Sequence, residues 1–363
     1  MIPIARPVIG REEEAAVLRV LRSGRLAQGP EVEAFERAFA PVAGSAHAVA
    51  CMNGTAALQL ALLAEGVGPG DEVIVPSFTF AGSAGAVLAC GARPVFCDVR
   101  EDDYGIDVDD AKARVTAATK AIMPVHLYGQ TADMDAVMRL AASRALTVIE
   151  DACQAHGAAY GDRPAGSFAT AAFSLYATKN VMTGEGGVVT TNDPAIEEKL
   201  RLLRSHGMSE RYVHTTFGLN MRMTEMQAAI GSVQLARLAD GTLRRRENAA
   251  FYTTELDGIA GLVLPRELPG RTHAWHQFTV RIPGRIPERR DAVLKLVRER
   301  GVGAEVYYPI PIHRQRAYPT DVSLPVSERL AAEVLSIPVY PTLDDGERAT
   351  VAKTLADAMM ETS

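Results

Sequence analysis

An acid and an amine stand near the ends of two apolar segments of the chain. Asp151 closes the run TVIED, and Lys179 lies between the run AAFSLY and a glycine-rich turn, GEGG. A desolvated lysine loses part of its preference for the charged form, and the neutral amine is the form that makes a Schiff base. An acid set apart from that amine suits a cofactor whose ring nitrogen must stay protonated. The pair therefore predicts a pyridoxal phosphate site.

A third segment supplies groups that bind phosphate. Asn53, Gly54 and Thr55 follow a strand-like run and open the helical stretch 56–64. The first amides of a helix have no partner inside the helix, so they can bind an anion together with the Thr55 hydroxyl, and glycine lets the backbone come close. Ser174 lies on the strand just before the lysine, where its hydroxyl can complete the cradle. The sequence therefore predicts a phosphate cradle made from two segments.

Each of these residues also has an ordinary structural interpretation. Most lysines are exposed, so Lys179 taken alone is more readily a surface residue. Asp151 and Thr55 alone fit caps of strands or helices, and Ser174 alone fits a hydroxyl within a sheet. Phe80, in PSFTF, alone fits a core position, although its ring can also lie against a planar cofactor. Their joint occurrence favours a single phosphate-bearing ligand.

The segments between about residues 46 and 191 must position these groups. Short β-branched runs alternate there with alanine-rich amphipathic stretches, which is the pattern of a parallel sheet covered by helices. The predicted strands are 47–51, 72–76, 93–98, 121–126, 147–151, 172–176 and 187–191. Ligands of such α/β sheets bind beyond the carboxyl ends of the strands, and several of these runs end beside the residues named above.

The rest of the chain predicts a smaller α+β domain. We expect a large α/β domain over residues 1–240 and a small domain over 241–363, with a hinge in the region 237–246. The predicted elements after residue 231 are a helix at 235–256, strands at 276–282 and 305–308, and helices at 287–300 and 345–360.

Composition excludes several classes of protein. The 363 residues are 47% hydrophobic and 23% charged with a formal charge of −6, so the chain lacks the basic footprint of nucleic-acid or membrane-surface binding. No apolar run reaches the roughly 18 residues of a membrane span, and no secretory signal pattern is present. Cys51, Cys90, Cys97 and Cys153 lack metal-binding spacing and fit buried thiols. We expect a cytoplasmic protein without a metal site, whose partners are small molecules or copies of itself.

Motifs along nearly the whole chain resemble those of the DegT/DnrJ/EryC1/StrS sugar aminotransferases, which are fold-type I pyridoxal-phosphate enzymes. No single motif would suffice, but so many in the family's order make chance similarity implausible. The matching motifs are GRLAQGPEVEAFE (24–36), NGTAAL (53–58), GDEVIVPSFTF (70–80), PVHLYGQ (124–130), EDACQAHGA (150–158), FSLYATKN (173–180), GEGGVV (184–189), GLNMRMTEMQAAIG (218–231) and IPVYP (337–341).

The resemblance implies a role for each matching residue. Lys179 matches the lysine that binds the cofactor covalently and then moves the proton between substrate and cofactor. Asp151 matches the acid that pairs with the ring nitrogen, and Gln154 matches the residue near the phenolic oxygen. Phe80 matches the ring-stacking position, where the family often has Trp or Tyr. The implied phosphate contacts are Gly54, Thr55, Ala56 and Ser174.

Three further residues match positions that act between subunits or on substrate. Asn220, in GLNMRM, matches an asparagine that reaches the phosphate in the neighbouring subunit, which implies a homodimer with shared active sites. His313 resembles a histidine of the small domain that faces substrate, with Tyr308 near it. Taken alone, Asn220 and His313 would fit turn and loop positions.

The function implied is transfer of the amino group of L-glutamate, or L-glutamine, to a keto group of a nucleotide-linked deoxyhexose. The stretch ATKNVMTGEGG together with RSHGMSERY is most similar to enzymes that act on a 4-keto-6-deoxysugar, while VHTTFGLN departs from the usual aromatic-rich loop. A 3-keto sugar or a cyclitol ketone therefore remains an alternative acceptor. A sugar dehydratase is disfavoured, because such relatives have histidine at the position of Lys179.

Two other classes of protein fit the sequence less well. A dinucleotide-binding domain requires GxGxxG directly after a strand, and neither NGTAAL nor GEGG fits that pattern. A regulator built on an aminotransferase-like domain usually adds a helix-turn-helix module, and the sequence has no spare basic segment for one.

Overall fold

The computed structural model describes residues 1–284 and 287–362. Its strands are β1 (His47–Cys51), β2 (Glu72–Pro76), β3 (Arg93–Cys97), β4 (Thr119–Ile122), β5 (Thr147–Asp151), β6 (Ala159–Tyr160), β7 (Arg163–Pro164), β8 (Thr170–Ser174), β9 (Gly187–Thr191), β10 (Met208–Glu210), β11 (Val213–His214), β12 (Arg271–Thr272), β13 (Phe278–Arg281) and β14 (Val334–Ile337). Its α-helices are α1 (Arg11–Ser23), α2 (Pro30–Phe39), α3 (Gly54–Ala64), α4 (Gly82–Ala89), α5 (Val108–Ala113), α6 (Met134–Arg144), α7 (Pro194–Arg204), α8 (Glu225–Ala236), α9 (Leu238–Glu255), α10 (Glu288–Glu299), α11 (Pro325–Glu333) and α12 (Asp345–Glu361).

A seven-stranded sheet lies at the centre, in the order β1-β9-β8-β5-β4-β2-β3. From β8 to β3 the neighbouring strands are parallel. β9 runs antiparallel to both β8 and β1, so the sheet is mostly parallel rather than wholly so. The carboxyl ends of β1, β2, β5 and β8 consequently meet at one edge of the sheet.

The seven predicted strands of this sheet are confirmed, with shifted bounds for β3, β4 and β8. The shift in β4 has a local cause. Pro124 has no amide hydrogen to donate to the ladder, so the regular strand ends at Ile122. Beyond that point Val125 makes only an isolated bridge with Asp151.

Two hydrophobic clusters cover the opposite faces of the sheet. Alternate residues of β1 divide between them, because successive side chains of a strand point to opposite faces: Val49 and Cys51 join one cluster, Ala48 and Ala50 the other. The first cluster includes apolar side chains of α3, α4 and α7, and the second includes those of α2 and α8. The central sheet is therefore buried on both sides, as its near-continuous apolar strands predict.

The C-terminal part of the chain has a hydrophobic cluster of its own. β13 and β14 pair antiparallel, and α9, α10 and α12 contribute side chains to the same cluster, with Tyr252 and Phe278 fully buried in it. The predicted helices at 287–300 and 345–360 and the predicted strand at 276–282 are confirmed as α10, α12 and β13, with slightly different bounds.

The predicted strand at 305–308 is wrong. Glu305 makes only an isolated bridge with Ser336, and Tyr307 and Tyr308 leave the sheet to line a cavity. β13 pairs with β14, a strand that sequence analysis missed, because its apolar run VLSI directly follows α11 and lacks a turn signal that would separate the two.

The predicted helix at 235–256 is confirmed as α9, except that residues 235 and 236 belong to the preceding helix α8, which ends before Arg237. α9 contributes to both parts of the fold: Leu238 belongs to the cluster of the central sheet, while Ala249 and Tyr252 belong to the C-terminal cluster. The hinge at 237–246 and the boundary between residues 240 and 241 stay predictions.

Two further features concern the described residues as a whole. None of their helices combines the length and hydropathy that crossing a membrane requires. The four cysteines are free thiols, of which Cys51, Cys90 and Cys97 are buried and Cys153 is half-buried.

Candidate active site

A cavity of about 630 Å³ opens at the edge of the sheet where β1, β2, β5 and β8 end. It brings together residues that lie far apart in sequence. Among those lining it are Asn53, Gly54, Thr55, Phe80, Asp151, Gln154, Ser174, Lys179, His276 and Tyr308. Of the predicted site residues, Ala56, Asn220 and His313 are not in the lining of this cavity within the described chain.

Lys179 occupies the turn that follows β8, where its amide donates to the Tyr176 carbonyl over 2.8 Å. The side chain is half-buried, and its Nζ has no hydrogen-bond or ion-pair partner among the described residues. Burial lowers the pKa of this amine, while Cys153 and Asp151 act in the opposite direction. A lysine without a partner and with a lowered pKa has the properties that nucleophilic and proton-transfer chemistry need.

Asp151 is buried at the end of β5, and both of its oxygens accept hydrogen bonds. Oδ2 accepts from the Ser83 hydroxyl at 2.7 Å, and Oδ1 accepts from the Cys153 amide at 3.2 Å. These bonds hold the carboxylate at one position beside the cavity. Ser83 was missed by sequence analysis, because a serine on α4 gives no local sign of contact with a strand so far away in sequence.

The start of α3 packs directly against the end of β8. A Cβ on Gly54 would lie 2.6 Å from the Ser174 Cβ, which is closer than real contacts allow, so only glycine permits this approach. Asn53 caps the helix by accepting the Ala56 amide at 2.9 Å. The amides of Gly54 and Thr55 have no partner among the described residues, so they and the two hydroxyls are the donors left for an anion.

Ala56 does not line the cavity, and the phosphate contact implied for it stays a prediction. Its amide is used by the Asn53 cap, and its side chain is buried behind the helix start rather than in the cavity. Sequence analysis did not anticipate that Asn53 caps the helix and thereby occupies the Ala56 amide.

Gln154 connects the sheet to the C-terminal segment. Its Oε1 accepts the Tyr128 amide at 2.9 Å, and its Nε2 donates to the Tyr308 hydroxyl at 3.1 Å. Burial raises the pKa of Tyr308, so this phenol stays neutral. Phe80 stands across from it with ring centroids 5.9 Å apart, and 57% of the Phe80 side chain is exposed, which leaves its face open to a ligand.

Two buried histidines near the lysine extend this site. His276 lines the cavity, and its Nδ1 lies 3.2 Å from the Asn180 Oδ1. Burial, followed by the charge of Lys179, lowers its pKa. His156 packs against Phe39 and Phe173, has no hydrogen-bond partner on either ring nitrogen, and has a pKa lowered to about 3, chiefly by burial. His276 was not predicted, since its position depends on a loop reaching across from the C-terminal part.

The structure places His313 and Asn220 outside the cavity. His313 is buried, with its Nδ1 2.6 Å from the Ser77 hydroxyl and its Nε2 3.1 Å from Glu328. Asn220 is exposed, and its Oδ1 accepts from Arg222 at 2.9 Å. A role for Asn220 in a neighbouring subunit and a substrate contact for His313 stay predictions.

Comparisons with known proteins identify the family of this chain. The model of the DegT/DnrJ/EryC1/StrS aminotransferase family matches residues 7–356. The pleiotropic regulatory protein of Geobacillus stearothermophilus is 42% identical over 346 residues, which are 93% of this chain and 92% of that protein. The dTDP-3-amino-3,4,6-trideoxy-alpha-D-glucose transaminase of Streptomyces venezuelae is 45% identical over 339 residues, which are 92% of this chain and 88% of that protein.

A solved structure shows the same fold. The X-ray crystal structure of S. venezuelae DesV in complex with a ketimine intermediate has a TM-score of 0.92 and 44% identity, and the match covers 96% of this chain and 94% of that one. The predicted α/β fold of fold-type I is confirmed. The chain belongs to the DegT/DnrJ/EryC1/StrS aminotransferase family.

Proposed function

We propose that this enzyme uses pyridoxal phosphate to transfer the amino group of L-glutamate, or L-glutamine, to a keto group of a nucleotide-linked deoxysugar. The observation that carries the proposal is Lys179, an amine with no partner and a lowered pKa, in one cavity with Asp151 and the open amides of α3. One relative is named a pleiotropic regulatory protein, but a regulator without catalytic activity would not need a free lysine, a fixed carboxylate and open helix amides in one cavity.

The residues of the cavity fit pyridoxal phosphate. The contact between Gly54 and Ser174 leaves a cradle of amides and hydroxyls that a single Cβ would disturb, and such a helix start binds phosphate. Asp151 would hold a proton on the ring nitrogen, and Gln154 would lie near the phenolic oxygen. Phe80 would cover one face of the ring. When bound, the cofactor stores the amino group and withdraws electrons from the reacting carbon.

The chain's own groups then supply binding and proton transfer. Nζ of Lys179 would hold the cofactor at rest, and as a free amine it would take a proton from the donor carbon and return one to the sugar carbon. Its lowered pKa makes the neutral form accessible for the first of these steps. The hydrogen bonds from Ser83 and Cys153 hold the Asp151 carboxylate in place, so it does not need to move during the reaction.

The acceptor is proposed as a class rather than as one sugar. The sugar in the name of the Streptomyces relative has its amino group at carbon 3, whereas the motifs around Lys179 favour a 4-keto-6-deoxysugar. Both positions therefore belong in the same assay. Lysine at position 179 disfavours the dehydratase reaction, and a free cyclitol ketone serves as the control for the nucleotide requirement.

A homodimer with shared active sites completes the proposal. Tyr212 and Phe217, on the segment that leads to Asn220, are 77% and 75% exposed, and exposed aromatic side chains of this kind are typical of protein interfaces. Mixing a Lys179→Ala chain with an Asn220→Ala chain tests it. If the sites are shared, the mixture regains part of the activity that each variant lacks; no gain on mixing, with both variants folded, contradicts a shared site.

The test of the reaction is the visible absorbance of the purified protein. Bound pyridoxal phosphate is yellow, and the colour should fade when L-glutamate or L-glutamine delivers its amino group. Nucleotide-linked 3-keto and 4-keto sugars are then added separately, and the acceptor restores the colour. A protein that stays colourless with added pyridoxal phosphate contradicts the cofactor and the site together.

A further inference from the structure

A second cavity, of about 390 Å³, adjoins the first at the catalytic lysine. Thr178 and Lys179 line both cavities, so a ligand in either one borders the same turn. The other walls of the second cavity are the N-terminal segment 5–8, one side of α9, and the turn at Tyr340 and Pro341. None of the residues proposed to bind the cofactor, apart from Lys179, takes part in it.

Arginines dominate the charge of this second cavity. Arg6, Arg237, Arg244 and Arg245 line it, and the first three are neutralised by carboxylates outside its lining. The ion pairs are Arg6–Glu347, Arg237–Glu12, Arg237–Glu13 and Arg244–Glu247. Arg245 forms no ion pair within the described chain; the exposed Asp240 also lines the cavity but does not pair with it.

Arg245 is also the buried member of the group. Its Nη1 donates to the carbonyls of Trp275 and His276, at 3.2 and 3.4 Å, while its Nε and Nη2 have no partner among the described residues. Burial lowers the pKa of this guanidinium to about 10, with no carboxylate acting against it. A buried cation without a counter-ion is costly, and an anionic ligand would remove that cost.

The open side of Arg245 indicates which anion fits. The Nε and Nη2 groups present two parallel N–H bonds, the geometry that binds both oxygens of a carboxylate. The cavity volume lies in the range of small-molecule sites and is ample for an amino acid. A carboxylate held here would lie beside the turn of Lys179, which is where the amino donor must react.

We infer that the second cavity is an anion site in which Arg245 binds a carboxylate of the amino donor. The site itself follows from the cavity and its unpaired guanidinium. That the carboxylate is the donor's rests on the proposed function. Glutamate and glutamine share the α-carboxylate, so the inference holds for either donor.

The test uses glutarate, a five-carbon dicarboxylate that has no amino group to transfer. Trp275 is the only tryptophan of the chain, and its carbonyl accepts the Arg245 bond, so its fluorescence reports on this site. Titrating the holoenzyme with glutarate should change that fluorescence in a saturable way. Arg245→Gln should weaken glutarate binding at least about tenfold, because a charge-assisted bidentate bond is lost.

The matched control is Arg244→Ala, which removes a neighbouring cavity arginine that already pairs with Glu247 and should leave glutarate binding unchanged. Arg245→Lys keeps the charge without the two parallel bonds and should bind glutarate with intermediate affinity. If Arg245→Gln does not fold, as judged by circular dichroism, Arg245→Lys and the neutral analogue glutaramide decide the question in its place.

Three results overturn the inference: no saturable response to glutarate, equal affinity in the wild type and both Arg245 variants, or glutaramide binding as tightly as glutarate. Failure of the proposed reaction looks different. In that case glutarate binding still depends on Arg245, but L-glutamate and L-glutamine leave the visible absorbance unchanged.

Discussion

The two sides of the larger cavity are built in different ways. The sheet side, formed by Gly54, Asp151, Ser174 and Lys179, consists of strand ends, a helix start and the turn after β8, held by backbone ladders. The loop side, formed by His276 and Tyr308, consists of irregular segments from the C-terminal part. The groups proposed to act on the reacting atoms all belong to the sheet side. We therefore expect the chemistry to depend on the rigid scaffold and the loops to shape the space for the acceptor.

The strongest test of this division is Lys179→Ala. We expect a loss of turnover of at least about 10²–10⁴-fold, the range of a lost proton-transfer group, because no other side chain of the sheet side carries a free amine. The phosphate cradle is untouched, so pyridoxal phosphate should still bind. The measurements are the amino-transfer rate and the retention of cofactor on dialysis. Lys353→Ala, on the surface of α12, is the control, and a Lys179→Ala protein with wild-type turnover contradicts the assignment.

Gly54→Ala tests the phosphate cradle by adding one methyl group, without changing any charge or hydrogen-bonding group. The added methyl group would lie 2.6 Å from Ser174, so the start of α3 must shift, at a cost of about 1–3 kcal/mol in the free energy of unfolding. Pyridoxal phosphate affinity should fall with it. Gly68→Ala is the matched control, because a Cβ there meets nothing within 4 Å and the backbone is not left-handed. Thermal unfolding and cofactor titration measure both effects; equal behaviour of the two variants would show that the cradle tolerates displacement.

His156→Leu tests whether the region behind the sheet side keeps His156 uncharged by excluding water. The pKa of His156 is about 3 in the fold, against about 6.5 in an unfolded chain. Between these values the unfolded chain binds a proton that the native protein does not, so the free energy of unfolding decreases as the pH falls from 6.5 to 3. The leucine variant lacks this contribution and should lose less stability over that window. Urea unfolding at several pH values measures it, and parallel curves for the two proteins contradict the prediction.

The smallest effect is expected on the loop side, from Tyr308→Phe. The change removes the hydrogen bond from Gln154 Nε2, worth about 0.5–1.5 kcal/mol, and keeps the ring that faces Phe80. We expect the KM of the sugar to rise by about two- to tenfold. The rate of the half-reaction with glutamate should stay near that of the wild type. Stopped-flow absorbance measures the two half-reactions separately. If the half-reaction with glutamate slows as much as the half-reaction with the sugar, Tyr308 takes part in the chemistry and the proposed division between the two sides is wrong.

Local sequence signals were sufficient for the sheet side. Asn53 and Gly54 mark a helix start, Asp151 ends an apolar strand, and Lys179 precedes a glycine-rich turn, so each is recognisable within about ten residues. Their meeting at one edge then follows from the common direction of β1, β5 and β8.

The loop side and the contacts between segments could not be read locally. Ser83 reaches Asp151 only through tertiary packing, and His276 enters the cavity on a segment whose neighbours lie elsewhere in the chain. The false strand at 305–308 has the same origin, because the run EVYYP has strand-forming side chains but its tyrosines are used by the cavity. Pairing of β13 with β14 likewise depends on long-range contact.

The path of α9 has a consequence for how the protein unfolds. α9 buries Leu238 in the first cluster and Tyr252 in the second. If either cluster unfolds, α9 loses contacts that hold it in place, and the packing of the other cluster is weakened. The two parts should therefore melt in a single cooperative transition despite their separate sheets. A cut between residues 240 and 241 would divide this helix within its first turn and leave Leu238 with the first cluster and Tyr252 with the second, so the two parts should then unfold independently.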